Sequence, residues 1–304
     1  MPDILVVGSL NTDLVVRTPR FPQPGETISG EDLQVIAGGK GANQAVAAAR
    51  HGAQVSMLGR VGKDSFGDFL LNNLNENLVD FQYVQRDDAS TGTAIIVVDS
   101  NGQNSIVLSA GANGKVSSAD VAVSFSDFKL ILLQLEIPIP TVLSATQRAH
   151  ENGLHVILNP APAKQIPEEL LSLVDYLIPN ETELSLLTDT EVNDIASAEH
   201  AAKSLLARGV KNVIVTLGSK GALIVTSTQI IQVGTYHVNV VDTTAAGDAF
   251  IGGFAYSLLQ NKSLEESVRY GCACGALATT KFGAQPSLPT REEVENLVGT
   301  QGIR

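Results

Sequence analysis

The chain has 304 residues, 44% of them hydrophobic and 17% charged, which is long enough to bury a sizeable core and too apolar for a disordered protein. With 27 Gly and 12 Pro its usage of both is ordinary, so collagen-like and low-complexity architectures are excluded. A net charge of −12 repels nucleic-acid phosphates and acidic membrane surfaces, yet a small anionic ligand held by backbone amides, one lysine or a divalent cation is still compatible.

No apolar run approaches the roughly 18 residues of a membrane span, and MPDILVVGSLNTD carries Asp3 where a secretion signal needs basic residues. A soluble, cytoplasmic protein is expected. Its length fits one large α/β domain with a small appendage.

Short β-branched runs predict strands at Ile4 to Leu10, Gln54 to Gly62, Leu130 to Glu136, His155 to Ala161, Tyr176 to Asn180 and Asn212 to Gly218, each apolar enough to be buried on both faces. Helical patterns at Gly41 to Arg50 and Asp64 to Asn75 lie between them, giving βαβ units and a mainly parallel sheet. Two stretches break the rhythm, Asp13 to Ile36 with its Pro cluster and Ser90 to Ser109 with a hairpin turn at Asn101-Gly102. Together they predict a small antiparallel sheet from discontinuous segments, able to cover a site.

Asn11 and Asp13 follow the first strand, where ligands of open α/β sheets bind; the pair can grip adjacent hydroxyls or simply make a turn. In Ala37 to Gly52, AGGKGANQAVAAARHG, the spacing matches neither a P-loop nor a dinucleotide fingerprint. Its glycines serve tight packing, or let a hydroxylated ligand touch backbone while Lys40 and Asn43 bond to it. Asn180 and Glu183 in PNETE are either a capping pair or oxygen ligands suited to Mg²⁺, and Thr216 to Ala222 reads as strand, tight turn, strand.

The strongest feature is Val241 to Leu259, VDTTAAGDAFIGGFAYSLL. Asp242, Thr243 and Thr244 suit a helix N-cap. Ala245, Ala246 and Gly247 instead suit an anion approaching unpaired amides at the positive end of the helix dipole, with Asp248 beside it to take a proton from an attacking hydroxyl. Cys272 and Cys274, about 200° apart on a helix, are expected to be small buried residues without a disulfide.

AGGKGANQAVAAARHG and DTTAAGDAFIGGFA resemble the two signatures of the PfkB-type carbohydrate kinases, and NTD, PNETE, TLGSKGA and KFGAQPS (Lys281 to Ser287) fall in the order of its ribose-phosphorylating branch. The resemblance implies a Rossmann-like three-layer α/β body with a β-sheet lid that often forms a homodimer interface. It also implies transfer of the ATP γ-phosphoryl group to the primary hydroxyl of a sugar, D-ribose before deoxyribose or fructose; a silent sugar-binding protein is the competing reading. By similarity Asn11, Asp13, Gly39, Lys40, Asn43 and Glu136 contact the sugar, Asp248 is the base, and Ala245, Ala246 and Gly247 form the anion hole. Asn180, Glu183, Thr216, Gly218 and Gly221 fall on the side of ATP and Mg²⁺. A K⁺ ion is implied at Asp242, Thr244, Ala278, Lys281, Gly283 and Ser287, several through carbonyls.

Overall fold

The computed structural model describes residues 3–300. In chain order its elements begin with β1 (Ile4–Val7), β2 (Asn11–Arg17), β3 (Gln34–Gly38), α1 (Lys40–Arg50), β4 (Val55–Gly62), α2 (Ser65–Glu76), β5 (Asp80–Asp87), β6 (Gly92–Val98) and β7 (Asn104–Ser109). Next come β8 (Leu130–Leu133), α3 (Ile139–Glu151), β9 (His155–Leu158), α4 (Glu168–Leu171), β10 (Tyr176–Leu177), α5 (Glu181–Thr188), α6 (Ile195–Ala207), β11 (Asn212–Thr216), β12 (Ala222–Thr226) and β13 (Ile230–Val233). Four helices finish the chain: α7 (Ala246–Leu259), α8 (Leu264–Ala278), α9 (Ala284–Ser287) and α10 (Arg291–Thr300).

The apolar runs form a nine-stranded sheet in the order β13-β12-β11-β10-β9-β8-β1-β4-β5, parallel from β5 to β11 and antiparallel at β12 and β13. Helices α1, α2, α7, α8 and α10 pack their apolar sides on one face, and α3 to α6 on the other. Covering both faces explains why β1 and β8 are apolar at every position. From β1 the chain winds outward to β4 and β5, then returns to β8 on the other side of β1 and winds away through β9. That reversal opens a crevice beyond the carboxyl ends of β1 and β8, where open α/β sheets bind ligands.

The two irregular stretches form a second sheet in the order β3-β2-β6-β7. Its outer pairs are antiparallel and its central pair, β2 with β6, is parallel. Both central strands leave the carboxyl ends of parallel strands, β1 and β5, and so enter the small sheet in the same direction. Asn11 and Asp13 lie within β2 rather than in a turn. The strand runs are shorter than the apolar runs: β8 stops at Leu133, three residues before Glu136, and β10 at Leu177, two before Pro179, which has no N–H for a ladder. Cys272 and Cys274 are buried and unbridged. Among the described residues, no helix is long and apolar enough to cross a membrane.

Candidate active site

Helices α1 and α7 approach one another closely because small residues line their contact. A methyl at Gly252 would overlap Ala47 of α1, and on the opposite side of α7 one at Gly253 would overlap the Cys274 thiol of α8. One turn earlier on each helix, the same approach sets Asp248 against Asn43 and Gln44. Asn43 Nδ2 donates to Asp248 Oδ2 at 2.9 Å, and Gln44 Nε2 donates to Oδ1 at 3.0 Å. Asp248 is 5% exposed, so its charge is held by amides rather than by bulk water.

The start of α7 is not capped by Asp242, Thr243 or Thr244. Its N-cap residue is Ala245, in the left-handed region at φ 58, with no side-chain cap. That conformation costs a non-glycine residue about 1 kcal/mol or more and turns successive amides toward one concavity. Ala246 N–H donates to Thr243 at a long 3.3 Å; among the described residues the Ala245 and Gly247 amides have no acceptor. Nothing lies within 4 Å of where a Gly247 Cβ would stand, so a ligand can reach this backbone.

Across the crevice, alternation along β2 puts Asn11 and Asp13 on one face of the small sheet. Glu136, just past β8, accepts from the Ser9 hydroxyl, from Asn11 Nδ2 at 3.4 Å and from the Lys40 amide at 3.1 Å. Gly38 has no side chain because the Asp13 carboxyl occupies that space, and Gly39, at φ 87, packs on the Asn11 amide. Burial, then the charges of Glu136 and Asp248, pushes Asp13 up to about 7. Burial opposes the Lys40 charge, but Asp248, Glu136, Glu183 and Asp13 together raise it. The expected sugar-side residues therefore share one buried electrostatic neighbourhood with Asp248.

Several polar residues of this neighbourhood carry no local signal. Asn113 fixes Asn11 by donating to its Oδ1 at 2.7 Å, while accepting from the Leu10 amide at 2.9 Å. Gln44, Gln134 and Asn159 form a buried amide chain ending on Asp248. These residues sit in otherwise apolar or small-residue stretches, and only the fold brings them together.

On the other flank, Asn180 and Glu183 form a reciprocal capping box at the start of α5, and an isolated bridge joins Asn180 to Thr216. Both Glu183 oxygens accept from Asn180, and burial raises this carboxyl above its usual range. The capping reading is thus realised. Each oxygen keeps a lone pair for the water shell of a divalent cation, which fits Mg²⁺ at second hand better than direct ligation. Among the described residues, no group of three or more His, Cys, Asp or Glu could hold a metal. Thr216 ends β11, and Gly218 and Gly221 take φ 55 and 86 in the tight turn before β12; the side of Gly218 is open.

Behind the start of α7, Asp242 accepts from the Thr244 amide and hydroxyl at 2.9 and 2.7 Å and from the Gly283 amide at 2.9 Å. Burial works against its charge, but these donors hold the carboxyl below its usual range. An ionised carboxylate where two loops meet, rich in backbone carbonyls, has the hard oxygen chemistry a K⁺ ion takes. Of the other expected ligands, Ser287 donates its hydroxyl to Ala284, the Ala278 carbonyl accepts the Lys281 amide at 3.4 Å, and the Lys281 side chain turns away to Glu293. Only the main-chain carbonyl oxygen of Lys281 could take part. Arg17 of β2 lies over the Phe282 ring, 4.4 Å from its centroid, and so ties the small sheet to this loop.

The model of the pfkB family carbohydrate kinases matches residues 1–291. A ribokinase of Haemophilus influenzae is 44% identical over 294 residues, covering 95% of this chain and 96% of its own. A deoxyribokinase of Salmonella typhi is 40% identical over 296 residues, covering 96% and 97%. The structure of Arabidopsis thaliana ribokinase complexed with ribose and ATP superposes with a TM-score of 0.92 at 37% identity, covering 99% of each chain. By sequence along nearly its whole length, and by fold, the chain belongs to the pfkB family of carbohydrate kinases.

Proposed function

We propose that the protein transfers the γ-phosphoryl group of ATP to the primary hydroxyl of D-ribose, giving ADP and ribose 5-phosphate. The observation that carries this reading is the buried Asp248 carboxylate, held by Asn43 and Gln44 beside the open amides of Ala245 and Gly247. Phosphoryl transfer asks for little more than a positioned alcohol, a carboxylate for its proton and donors for the migrating charge.

In this mechanism Asn11, Asp13, Gly39, Lys40, Asn43 and Glu136 hold the sugar hydroxyls. Asp248 takes the proton of the primary hydroxyl as its oxygen bonds to the γ-phosphorus and the bond to the β,γ-bridging oxygen breaks. The proton rests on the carboxylate, and the electron pair of the broken bond leaves on ADP. Amides of Ala245, Ala246 and Gly247 stabilise the oxygens of the group in flight. A loose transition state asks for little early deprotonation, so a carboxylate suffices as the base.

Asn180, Glu183, Thr216, Gly218 and Gly221 flank the ATP. Bound with it, Mg²⁺ would neutralise phosphate charge, with Glu183 reaching its water shell. Asp242, Thr244 and carbonyls of Ala278, Lys281, Gly283 and Ser287 would hold a K⁺ ion, whose charge adds to the positive end of α7. The small sheet acts as a lid that excludes water, so ATP hydrolysis without sugar is slow. Its outer row of Val35, Leu14, Ile95 and Val107, aligned across all four strands, supports a homodimer through the lid. The protein's use of ATP supports a cytoplasmic location.

The named relatives act on ribose in one case and deoxyribose in another, so the sugar is the part to test. ADP release measured over a panel of pentoses and hexoses is expected to give D-ribose the highest kcat/KM. A preference for deoxyribose or fructose overturns the choice of ribose, and sugar binding without ADP release overturns the kinase reading for this chain.

A further inference from the structure

We propose that Gln44, with its amide orientation set by Asn159 and supported by Gln134, is a positioning residue that fixes the plane of the Asp248 carboxylate for proton transfer; this rests on the kinase reading above. Gln44 and Gln134 are both 0% exposed, so neither amide can turn to water. Gln134 Nε2 donates to Gln44 Oε1 at 2.7 Å. Gln44 Nε2 then faces Asp248 Oδ1 at 3.0 Å and Asn159 Oδ1 at 3.4 Å. Asn159 has its own orientation set by donating Nδ2 to the Ile178 carbonyl at 3.0 Å.

The chain is directional. A flipped Gln44 would present its carbonyl to both Asp248 and Asn159, setting acceptor against acceptor, and would turn its NH₂ toward the Gln134 NH₂. Groups following the carboxyl ends of the central strands β8 and β9, with Asp248 of α7, therefore agree on one orientation, in which a donor meets the carboxylate. Gly8 makes the room, since the Gln134 carbonyl fills the place of a Cβ there.

Two donors on two different carboxylate oxygens, from Gln44 and Asn43, fix both the position and the plane of Asp248. Oδ2, with its one donor from Asn43, keeps a second lone pair for the incoming hydroxyl. The charged groups of that crevice are Asp13 on β2, Lys40 on α1, Glu136 after β8 and Glu183 on α5. Of these only Lys40 attracts Asp248. Without the Gln44 donor the carboxylate is free to turn toward the Lys40 ammonium, where its lone pairs are taken up by an ion pair.

The test is Gln44→Met, which keeps length and volume and removes the donor, assayed by sugar-dependent ADP release. Turnover is expected to fall by about 10- to 100-fold while the KM for sugar stays within about threefold. In an Asp248→Asn background the same substitution is expected to lower turnover by no more than about twofold, because no anion is left to hold. Gln134→Met, which touches Asp248 only through Gln44, is expected to give the same pattern with a smaller loss, and it decides the matter if Gln44→Met does not fold. Near-normal turnover, or an equal loss in both backgrounds, overturns the proposal. The assay uses whichever sugar the panel selects, so a wrong choice of ribose is distinguishable from a wrong role for Gln44.

Discussion

Asn43 and Asp248, 205 positions apart in the chain, meet as donor and acceptor at 2.9 Å across the contact of α1 with α7. The meeting depends on Gly252, one turn further along α7, which has no side chain to hold the helices apart. A Gly252→Ala substitution is expected to lower stability by about 1–3 kcal/mol through overpacking. It should also reduce kcat by more than it raises the sugar KM, since the wedge shifts Asp248 rather than the sugar-side strands. Thermal denaturation beside steady-state kinetics checks this, and an unchanged kcat with lowered stability would detach the helix contact from catalysis.

Asp13 and His51 give opposite pH dependences of stability. Asp13 is pushed up to about 7 by burial first and then by Glu136 and Asp248, so between about pH 4 and 7 the folded chain keeps a proton that the unfolded chain has released. Stability is lost as pH rises through that window. The Tm of Asp13→Asn relative to the unsubstituted protein is expected to grow from about pH 5 to 8.

His51, buried against Tyr270 and Cys274, is pushed down to about 4 by burial, with Arg291 adding to it. Its contribution is complete above the unfolded value of about 6.5 and is lost as pH falls toward 4. The Tm deficit of His51→Gln is therefore expected to shrink on acidification. Parallel Tm curves for a variant and the unsubstituted protein would contradict the assignment for that residue.

The Asp242 carboxylate joins the loop before α7 to Gly283, and the proposed ion lies with it. Replacing K⁺ by tetramethylammonium, too large for a carbonyl cage, is expected to depress turnover. In calorimetry K⁺ should raise the Tm of the unsubstituted protein by about 2–4 °C and leave Asp242→Ala unmoved. Equal rates in both salts, or an equal Tm rise in both proteins, would remove the ion from this loop.

Ile95 and Val107, directly paired on the outer face of the small sheet, are 50% and 63% exposed. An exposed apolar row of that kind is the surface on which the proposed homodimer would form. Ile95→Lys with Val107→Glu is expected to convert a dimer into monomers in analytical ultracentrifugation. A dimer that survives both charges would place the contact elsewhere.

Much of this fold is legible in the sequence because buried parallel strands leave continuous apolar runs, as at Ile4–Val7 and Leu130–Leu133. β5 escapes that rule: DFQYVQRD lies at the sheet edge, half-exposed along its length, and mixes charge with its apolar residues. The residues around the crevice are legible where they belong to compact motifs, as Asp248 and Asn43 do. Gln134, Asn159 and Asn113 are not, because each is a single amide whose partner lies about a hundred residues away, and Gln44, though it stands beside Asn43, shows its role only through partners as distant. The left-handed Ala245 is equally hidden, since alanine gives no hint of a positive φ.

In the proposed mechanism Asp248 receives the proton of the sugar hydroxyl while the amides before it hold the phosphoryl group. Asp248→Asn tests it most directly, with turnover followed by ADP release and ribose affinity by calorimetry on the same preparation. The new amide nitrogen must face either the Asn43 or the Gln44 donor, so a modest drop in Tm accompanies the change. The predicted result is a kcat lowered about 10²-fold or more with ribose affinity within about tenfold. Turnover close to that of the unsubstituted protein would contradict it.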